Sequence, residues 1–134
     1  MENELSLIVR STDLDQLGHV NNAKYVEYLE WGRLDWYEQC GLSWDEYLER
    51  QVGTVVVRLA VNYRREARKG DRLTVVTRPL TRGKTSFVLQ QNIYNPAGDV
   101  VVEAEVTSVC FDLAKRVSLP ILPELAIHFA EVGA

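Results

Sequence analysis

Residues 21–41 read NNAKYVEYLEWGRLDWYEQCG, and this stretch decides the fold. Asparagine is a favoured N-cap and glycine a favoured terminator. The sequence therefore predicts a helix that begins at the asparagine pair and ends near Cys40, before Gly41. A glycine inside a helix costs about 1 kcal/mol relative to alanine, which indicates that Gly32 packs closely against another backbone. Spacings of three and four give the helix one apolar stripe, made of Tyr25, Leu29, Gly32, Trp36 and Cys40.

The segments around this helix are shorter, and most of them have a period of two. Residues 4–11 alternate loosely and predict a first strand, while Ser43 is expected to cap a short second helix over residues 44–50. Residues 54–64 are β-branched and alternate. One apolar face is expected along them, formed by Val55, Val57, Leu59, Val61 and Tyr63.

Turn signals at residues 70–71, 82–83 and 95–99 divide the following chain into further strands, the last over residues 100–111. Two prolines then end the strand region, and a short helix is predicted over residues 124–131. An amphipathic helix must bury its apolar stripe against the sheet. The sequence therefore predicts one α+β domain over residues 1–134, with an antiparallel sheet of about five strands wrapped around one long central helix.

The composition excludes several classes of protein. The 134 residues are 46% hydrophobic and 25% charged, ordinary values for a globular chain. No apolar run approaches the roughly 18 residues of a membrane helix, and the acidic N-terminus does not resemble a signal peptide. Cys40 and Cys110 form no CxxC pair, so neither a disulfide framework nor a zinc site is expected, and a reducing cytoplasm fits best.

The net charge of −4 hides a strong segregation. Residues 1–57 hold four basic and eleven acidic side chains, whereas residues 58–84 hold nine basic and two acidic ones, a local net charge of +7. Such a stretch indicates either an anionic partner or a strand edge protected by its charges. Nucleic acid is not expected as that partner, because the pI is near 5.2 and no aromatic residues interleave with the basic ones.

Residues 12–22 place two carboxylates, an imidazole and two amides just before the predicted helix, on Asp13, Asp15, His19, Asn21 and Asn22. A helix N-terminus offers free N–H groups that can hold developing negative charge. A carboxylate beside it can attack a carbonyl or activate water. Spacing alone favours the simpler interpretation, a capped loop in which these residues only form turns.

The run from Asp15 to Tyr25, DQLGHVNNAKY, resembles the signature of the hotdog-fold acyl-CoA thioesterases, the 4-hydroxybenzoyl-CoA thioesterase-like superfamily. The likeness continues in order along the chain, and within the superfamily it is nearest to the bacterial long-chain acyl-CoA thioesterase III type. The other matching segments are Glu30 with Arg33, residues 61–65, 70–71, 83–86 and 109–112.

The resemblance implies roles for individual residues. Asp15 falls on the catalytic carboxylate, and Asn22 falls at the helix start, where the family polarises the thioester carbonyl with a backbone N–H. His19 and Asn21 would orient the loop or the carbonyl, although Asn21 equally suits a helix cap. Asp13 is interpreted as a loop residue. A second branch of the family uses a helix glutamate, but here Glu30 is expected to pair with Arg33.

The resemblance also assigns the binding groups. Basic residues would hold the phosphates of coenzyme A, helped by hydroxyl donors; these are Arg82, Lys84, Arg64, Arg65, Thr85 and Ser86. The acyl group would meet Tyr25, Asn21, Tyr28 and Trp31. No cofactor or metal is implied. Since the family builds each site across two subunits, a homodimer or a dimer-of-dimers tetramer is expected, without membrane insertion.

The resulting expectation is an acyl-CoA thioester hydrolase acting on medium- or long-chain fatty acyl-CoA. An aromatic acyl-CoA, such as a hydroxybenzoyl or dihydroxynaphthoyl thioester, is the alternative substrate. A hotdog hydratase or dehydratase is a second alternative, because Asp15 and His19 loosely match its carboxylate–histidine pair; its usual Asp-x-Asn-x-x-His spacing is absent. A non-catalytic acyl-CoA-binding module is the third.

Overall fold

The computed structural model of the protein describes residues 1–129. In chain order the helices and strands are β1 (Asn3–Ile8), a 3-10 turn (Ser11–Asp13), α1 (Asn22–Gln39), α2 (Trp44–Arg50), β2 (Val52–Tyr63), β3 (Arg72–Arg82), β4 (Ser86–Tyr94), β5 (Val100–Asp112), β6 (Val117–Ser118) and α3 (Pro123–Ala126). The predicted terminal helix is thus shorter than expected, and its last predicted residues, 130 and 131, lie outside the described residues.

Both predicted helix starts are confirmed by their caps. The Asn21 side chain accepts a hydrogen bond from the amide of Ala23 at 2.8 Å, and α1 then runs for 18 residues. It ends before Gly41, whose φ of +91° is readily adopted only by glycine. The Ser43 hydroxyl accepts a hydrogen bond from the amide of Glu46 at 3.3 Å and begins α2.

The strands form one antiparallel sheet in the order β1-β3-β4-β5-β2, with β6 added beside β5. Helix α1 packs against β1, β3 and β4, which confirms the predicted α+β arrangement. Its N-terminal half buries tyrosine and leucine side chains in one apolar cluster, while its C-terminal half contributes Trp36 and Tyr37 to a second cluster beside Phe87. The sheet thereby fixes the height and direction of the helix start.

Gly32 lies where α1 approaches the sheet most closely. A Cβ atom added there would stand 2.6 Å from Cγ1 of Val75 and about as near to polar atoms of Gln91 and Thr77. Close packing was therefore correctly expected, but the neighbours are side chains of β3 and β4 and not another backbone.

Strand β2 lies at one edge of the sheet and differs from its prediction. A bulge between Val56 and Arg58 shifts the register, so the five residues expected on one face do not share it. Val55 lies opposite Val109 on the outer face, whereas the inner face continues from Val56 to Leu59. Several apolar side chains of this edge strand are exposed in the single chain: Val55, Val56, Val57, Leu59 and Tyr63.

Three further features concern the cysteines, membrane spans and metal sites. Both cysteines are free thiols, with Cys110 buried and Cys40 half-buried. None of the helices within residues 1–129 is long and apolar enough to cross a membrane. Over the same residues, no group of three histidine, cysteine or acidic side chains is arranged to hold a metal ion.

Candidate active site

A tight loop carries the predicted catalytic residues to the start of α1. The amide of Asp15 donates to the carbonyl of His19 at 2.9 Å, and the amide of Gly18 donates back to the carbonyl of Asp15 at 3.1 Å. Gly18 has φ of +83°, a conformation that favours glycine. The loop is tied to the chain after β2, since Val20 donates to the carbonyl of Ala67 at 2.9 Å. Asp15 and His19 are therefore held on one rigid turn.

The Asp15 carboxylate is oriented but open to solvent. One oxygen accepts a hydrogen bond from the amide of Leu17 at 2.8 Å, and the other lies 3.7 Å from Nδ1 of His19. About a quarter of each side chain is exposed. A carboxylate held in this way keeps a free lone pair for water or for a substrate carbon.

His19 has a second acidic neighbour, which the sequence did not indicate. Its Nε2 lies 3.5 Å from Oε2 of Glu66, a residue of the loop between β2 and β3. The other Glu66 oxygen accepts a hydrogen bond from Arg68 at 2.6 Å, and this guanidinium holds the pKa of Glu66 below its usual value. An isolated antiparallel bridge between His19 and Arg68 brings the two loops together.

The first amide of α1 is available for a ligand. The amides of Ala23 and Lys24 are used by the side chain and carbonyl of Asn21, whereas no hydrogen bond among residues 1–129 uses the amide of Asn22. The carbonyl of Asn22 accepts a hydrogen bond from the Tyr63 hydroxyl at 3.3 Å. A free N–H at the positive end of a helix dipole is suited to an oxyanion.

A cavity of about 410 Å³ lies in front of this amide. Its wall joins the α1 start, the end of β2 and the following loop, and its lining residues are His19, Val20, Asn22, Tyr25, Tyr63, Arg64, Arg65 and Glu66. The rings of Tyr25 and Tyr63 lie 5.7 Å apart. Burial, with help from the negative charges of Glu66, Asp71 and Asp15, raises the pKa of Tyr25, so its phenol is neutral.

Asp13 lies apart from this cavity. Its carboxylate accepts hydrogen bonds from the Tyr28 hydroxyl at 2.7 Å and from the amide of Arg10 at 3.0 Å, and the side chain is buried. Burial, the hydrogen bond and the charge of Asp13 raise the pKa of Tyr28 well above its usual value. The placement agrees with the interpretation of Asp13 as a loop residue that holds structure.

The four predicted acyl contacts are divided between two sides of α1. Tyr25 lines the cavity, where its hydroxyl accepts a hydrogen bond from the amide of Ala67 at 2.9 Å, and Asn21 caps the helix beside it. Tyr28 is fully buried and lines none of the cavities described. Trp31 is exposed on a separate depression formed with β1, Asp13 and Lys24.

The predicted coenzyme A residues fall at opposite ends of the sheet. Arg64 and Arg65 lie at the candidate site, although Arg64 also pairs with Glu103 at 2.9 Å. The β3–β4 turn, by contrast, lies beside Val109 of β5 and hence at the start of β2. Strand geometry puts the two ends about 25 Å apart. One chain therefore does not bring together the two groups, which are Arg64 and Arg65 on one side and Arg82, Lys84, Thr85 and Ser86 on the other.

The predicted ion pair between Glu30 and Arg33 is absent. Arg33 is only 7% exposed and turns toward the sheet, where it donates a hydrogen bond to Oε1 of Gln91 at 3.1 Å. Burial lowers the pKa of Arg33, and no carboxylate within residues 1–129 lies within 4 Å of it. Glu30 remains exposed on the helix. The spacing of three residues suits an ion pair, but Arg33 instead donates its hydrogen bond to the buried side chain of Gln91.

Most of the chain matches a known protein family. A sequence profile described as the thioesterase-like superfamily matches residues 9–129, which include the loop, α1 and every long strand after β1. The chain belongs to the thioesterase-like superfamily. The family assignment made from the Asp15–Tyr25 motif is confirmed.

Members of this superfamily with curated names are similar over most of the chain. The long-chain acyl-CoA thioesterase FadM of Escherichia coli K12 is 37% identical over 118 residues, 87% of this chain and 89% of that protein. The acyl-CoA thioester hydrolase YbgC of Escherichia coli O157:H7 is 33% identical over 103 residues, 77% of each chain.

Solved structures of thioesterase-like proteins support the fold. YbaW, a probable thioesterase from Escherichia coli, has a TM-score of 0.79 at 32% identity and matches 98% of each chain. The hypothetical protein SAV2348 from Staphylococcus aureus, solved in complex with CoA, has a TM-score of 0.90 at 17% identity, covering 98% of this chain and 84% of that one. The predicted α+β hotdog fold is confirmed.

Proposed function

We propose that this thioesterase-like protein is an acyl-CoA thioester hydrolase that releases a free acid and coenzyme A. The observation that carries the proposal is the unused amide of Asn22, which lies at the positive end of α1 beside the Asp15–His19 turn. In this proposal the amide donates a hydrogen bond to the thioester carbonyl oxygen, where negative charge develops during attack. The named relatives FadM and YbgC, an acyl-CoA thioesterase and an acyl-CoA thioester hydrolase, support the same reaction.

Asp15 supplies the catalytic carboxylate in either of two routes. As a general base it takes a proton from water while the water oxygen bonds to the carbonyl carbon. As a nucleophile it bonds to that carbon itself, and water later cleaves the resulting anhydride. In both routes the C–S bond breaks, and the coenzyme A thiolate takes up a proton.

Medium- or long-chain fatty acyl-CoA is the proposed substrate class, on the strength of the likeness to FadM. An aromatic acyl-CoA is the second candidate, because the exposed ring of Tyr63 lines the cavity, 5.7 Å from the buried ring of Tyr25. On the same likeness, a cytoplasmic location and a part in lipid metabolism are proposed.

We further propose that the protein works as a homodimer or as a tetramer of such dimers. Strand β2 is the long, apolar edge strand of the sheet, and within residues 1–129 it pairs only with β5. The backbone groups on its other side can therefore pair with another strand. In a two-fold pair of β2 edges, the start of one strand lies beside the end of the other. The partner's β3–β4 turn would then approach the cavity of this chain and complete the coenzyme A site with Arg64 and Arg65.

Thiol release from a panel of fatty and aromatic acyl-CoAs tests the reaction and its substrate class. We expect release to be fastest with long fatty chains, and a preference for aromatic thioesters would select the alternative. Tight binding without any release would indicate a non-catalytic module. Conversion of enoyl- or hydroxyacyl-CoA without thiol release, abolished in His19→Ala, would indicate a hydratase or dehydratase. Either of these last two results contradicts the hydrolase.

A further inference from the structure

The proposed reaction assigns no role to Glu66, a carboxylate next to His19. Glu66 lies 3.5 Å from Nε2 of His19, while Asp15 lies 3.7 Å from Nδ1 on the other side of the ring. The imidazole thus stands between two acidic groups, each in reach of a different nitrogen. An imidazole donates from only one nitrogen when neutral and from both when protonated.

Glu66 reaches this position through two constraints that are independent of Asp15. Its second oxygen accepts a hydrogen bond from Arg68 at 2.6 Å. The His19–Arg68 bridge and the hydrogen bond from Val20 to the carbonyl of Ala67 then fix the Glu66 loop against the catalytic loop. Glu66 also lines the same cavity as the Asn22 amide.

On the basis of the proposed function, we propose that Glu66 is a positioning residue of the thioesterase site. Its carboxylate lies within ion-pair distance of Nε2 of His19 and thereby favours the ring orientation in which Nδ1 faces Asp15. Arg68 limits the negative charge that Glu66 presents to the ring. The arrangement has the logic of a base oriented by a third group, on this chain's own residues.

Three charged groups surround the imidazole. Asp15 and Glu66 face it directly, and Arg68 faces it through Glu66. The other titratable groups on the cavity wall are Tyr25, Tyr63, Arg64 and Arg65. Removing the Glu66 carboxylate therefore takes the charged neighbour away from Nε2, while Asp15 stays beside Nδ1.

Nuclear magnetic resonance measures this coupling directly, because the chain contains only two histidines and His128 serves as an internal reference. In Glu66→Gln we expect the ring signals of His19 to shift at constant pH, because the charge next to Nε2 is gone. In Arg68→Gln we expect a smaller shift, because Arg68 acts on the ring through Glu66. Glu105→Gln, an exposed glutamate on β5, should leave the ring signals of both histidines in place.

Steady-state thiol release then connects this contact with turnover. In Glu66→Gln we expect kcat to fall several-fold with KM little changed. Unmoved His19 ring signals in Glu66→Gln, or moved signals with an unchanged kcat, overturn the proposal. The resonance measurement needs no turnover, so a wild type that hydrolyses no acyl-CoA overturns the proposed function separately from the Glu66–His19 contact.

Discussion

Gly32 of α1 packs against Val75 of β3 so closely that a methyl group at position 32 would lie 2.6 Å from Cγ1 of Val75. Gly32→Ala should therefore destabilise the protein, although alanine is the better helix former. Because 2.6 Å is well inside van der Waals contact, overpacking should cost about 2–3 kcal/mol, the upper part of its usual range, against a propensity gain of about 1 kcal/mol. We therefore expect a net loss of about 1–2 kcal/mol. Urea unfolding measures this loss in the free energy of unfolding.

Gly53→Ala is the matched control, because a methyl group there would meet only Leu113, at an ordinary 3.7 Å. Since replacing a strand glycine by alanine is itself favourable, Gly53→Ala should leave the free energy of unfolding unchanged or raise it by up to about 1 kcal/mol. A Gly32→Ala protein as stable as the wild type would contradict the close packing that sets the height of α1 over the sheet.

Tyr63→Phe removes the hydrogen bond from the end of β2 to the carbonyl of Asn22. Because the hydroxyl is partly exposed, we expect a stability loss of only about 0.5 kcal/mol but a fall in kcat of about two- to fivefold, since the α1 start is less firmly held. Tyr47→Phe is the control: its buried hydroxyl makes no hydrogen bond of good geometry among residues 1–129, although Thr54 lies nearby, so its removal should cost little. Equal kcat values in Tyr63→Phe and Tyr47→Phe would contradict a role of Tyr63 at the active site.

Val57→Lys tests the role of the β2 edge. Val57 is 60% exposed in the single chain, and a charge there should weaken pairing of two β2 strands. We expect sedimentation to show that the dimer dissociates. The rate of thiol release should fall as well. Ile8→Lys places the same charge on β1, the opposite edge, where Ile8 is 50% exposed, and should change neither property. A Val57→Lys protein that stays dimeric and active would exclude the β2 edge as the dimer interface.

Neither native thiol should react readily. Burial raises the pKa of Cys40 to about 12 and also raises the pKa of Cys110. At pH 8 the thiolate fraction of Cys40 is then about a thousandfold below that of an ordinary cysteine, so iodoacetamide should leave the native protein unlabelled for hours. In denaturant both sites should label within minutes, as mass spectrometry can follow. Rapid native labelling of Cys40 would contradict the raised pKa of its thiol.

Much of the fold could be predicted because local signals and tertiary packing agree. Asn21 and Gly41 bound α1 through their own backbone and side-chain chemistry, and the alternation of β3, β4 and β5 matches one buried face. The β2 bulge after Val56 was missed, since register is set by the partner strand and not by the strand's own alternation.

The candidate site was predictable only in part. The Asp15–Asn22 motif lies within eight residues and resembles a family signature, so it could be recognised in the sequence. Glu66 lies 47 positions after His19 and reaches it only because two loops pair across the fold. Arg33 was assigned to Glu30 by helical spacing, whereas the buried amide of Gln91, from a distant strand, decides its position.

Thiol release by Asp15→Asn tests the central claim most directly. Asparagine keeps an oxygen to accept the hydrogen bond from Leu17 but removes the charge, so the loop should fold as in the wild type. We expect kcat to fall by about 10²–10⁴ with little change in the melting temperature, while Asp45→Asn, at an exposed aspartate of α2, should retain full activity. A folded Asp15→Asn protein that releases thiol within about threefold of the wild-type rate would contradict the assignment of Asp15 as the catalytic carboxylate.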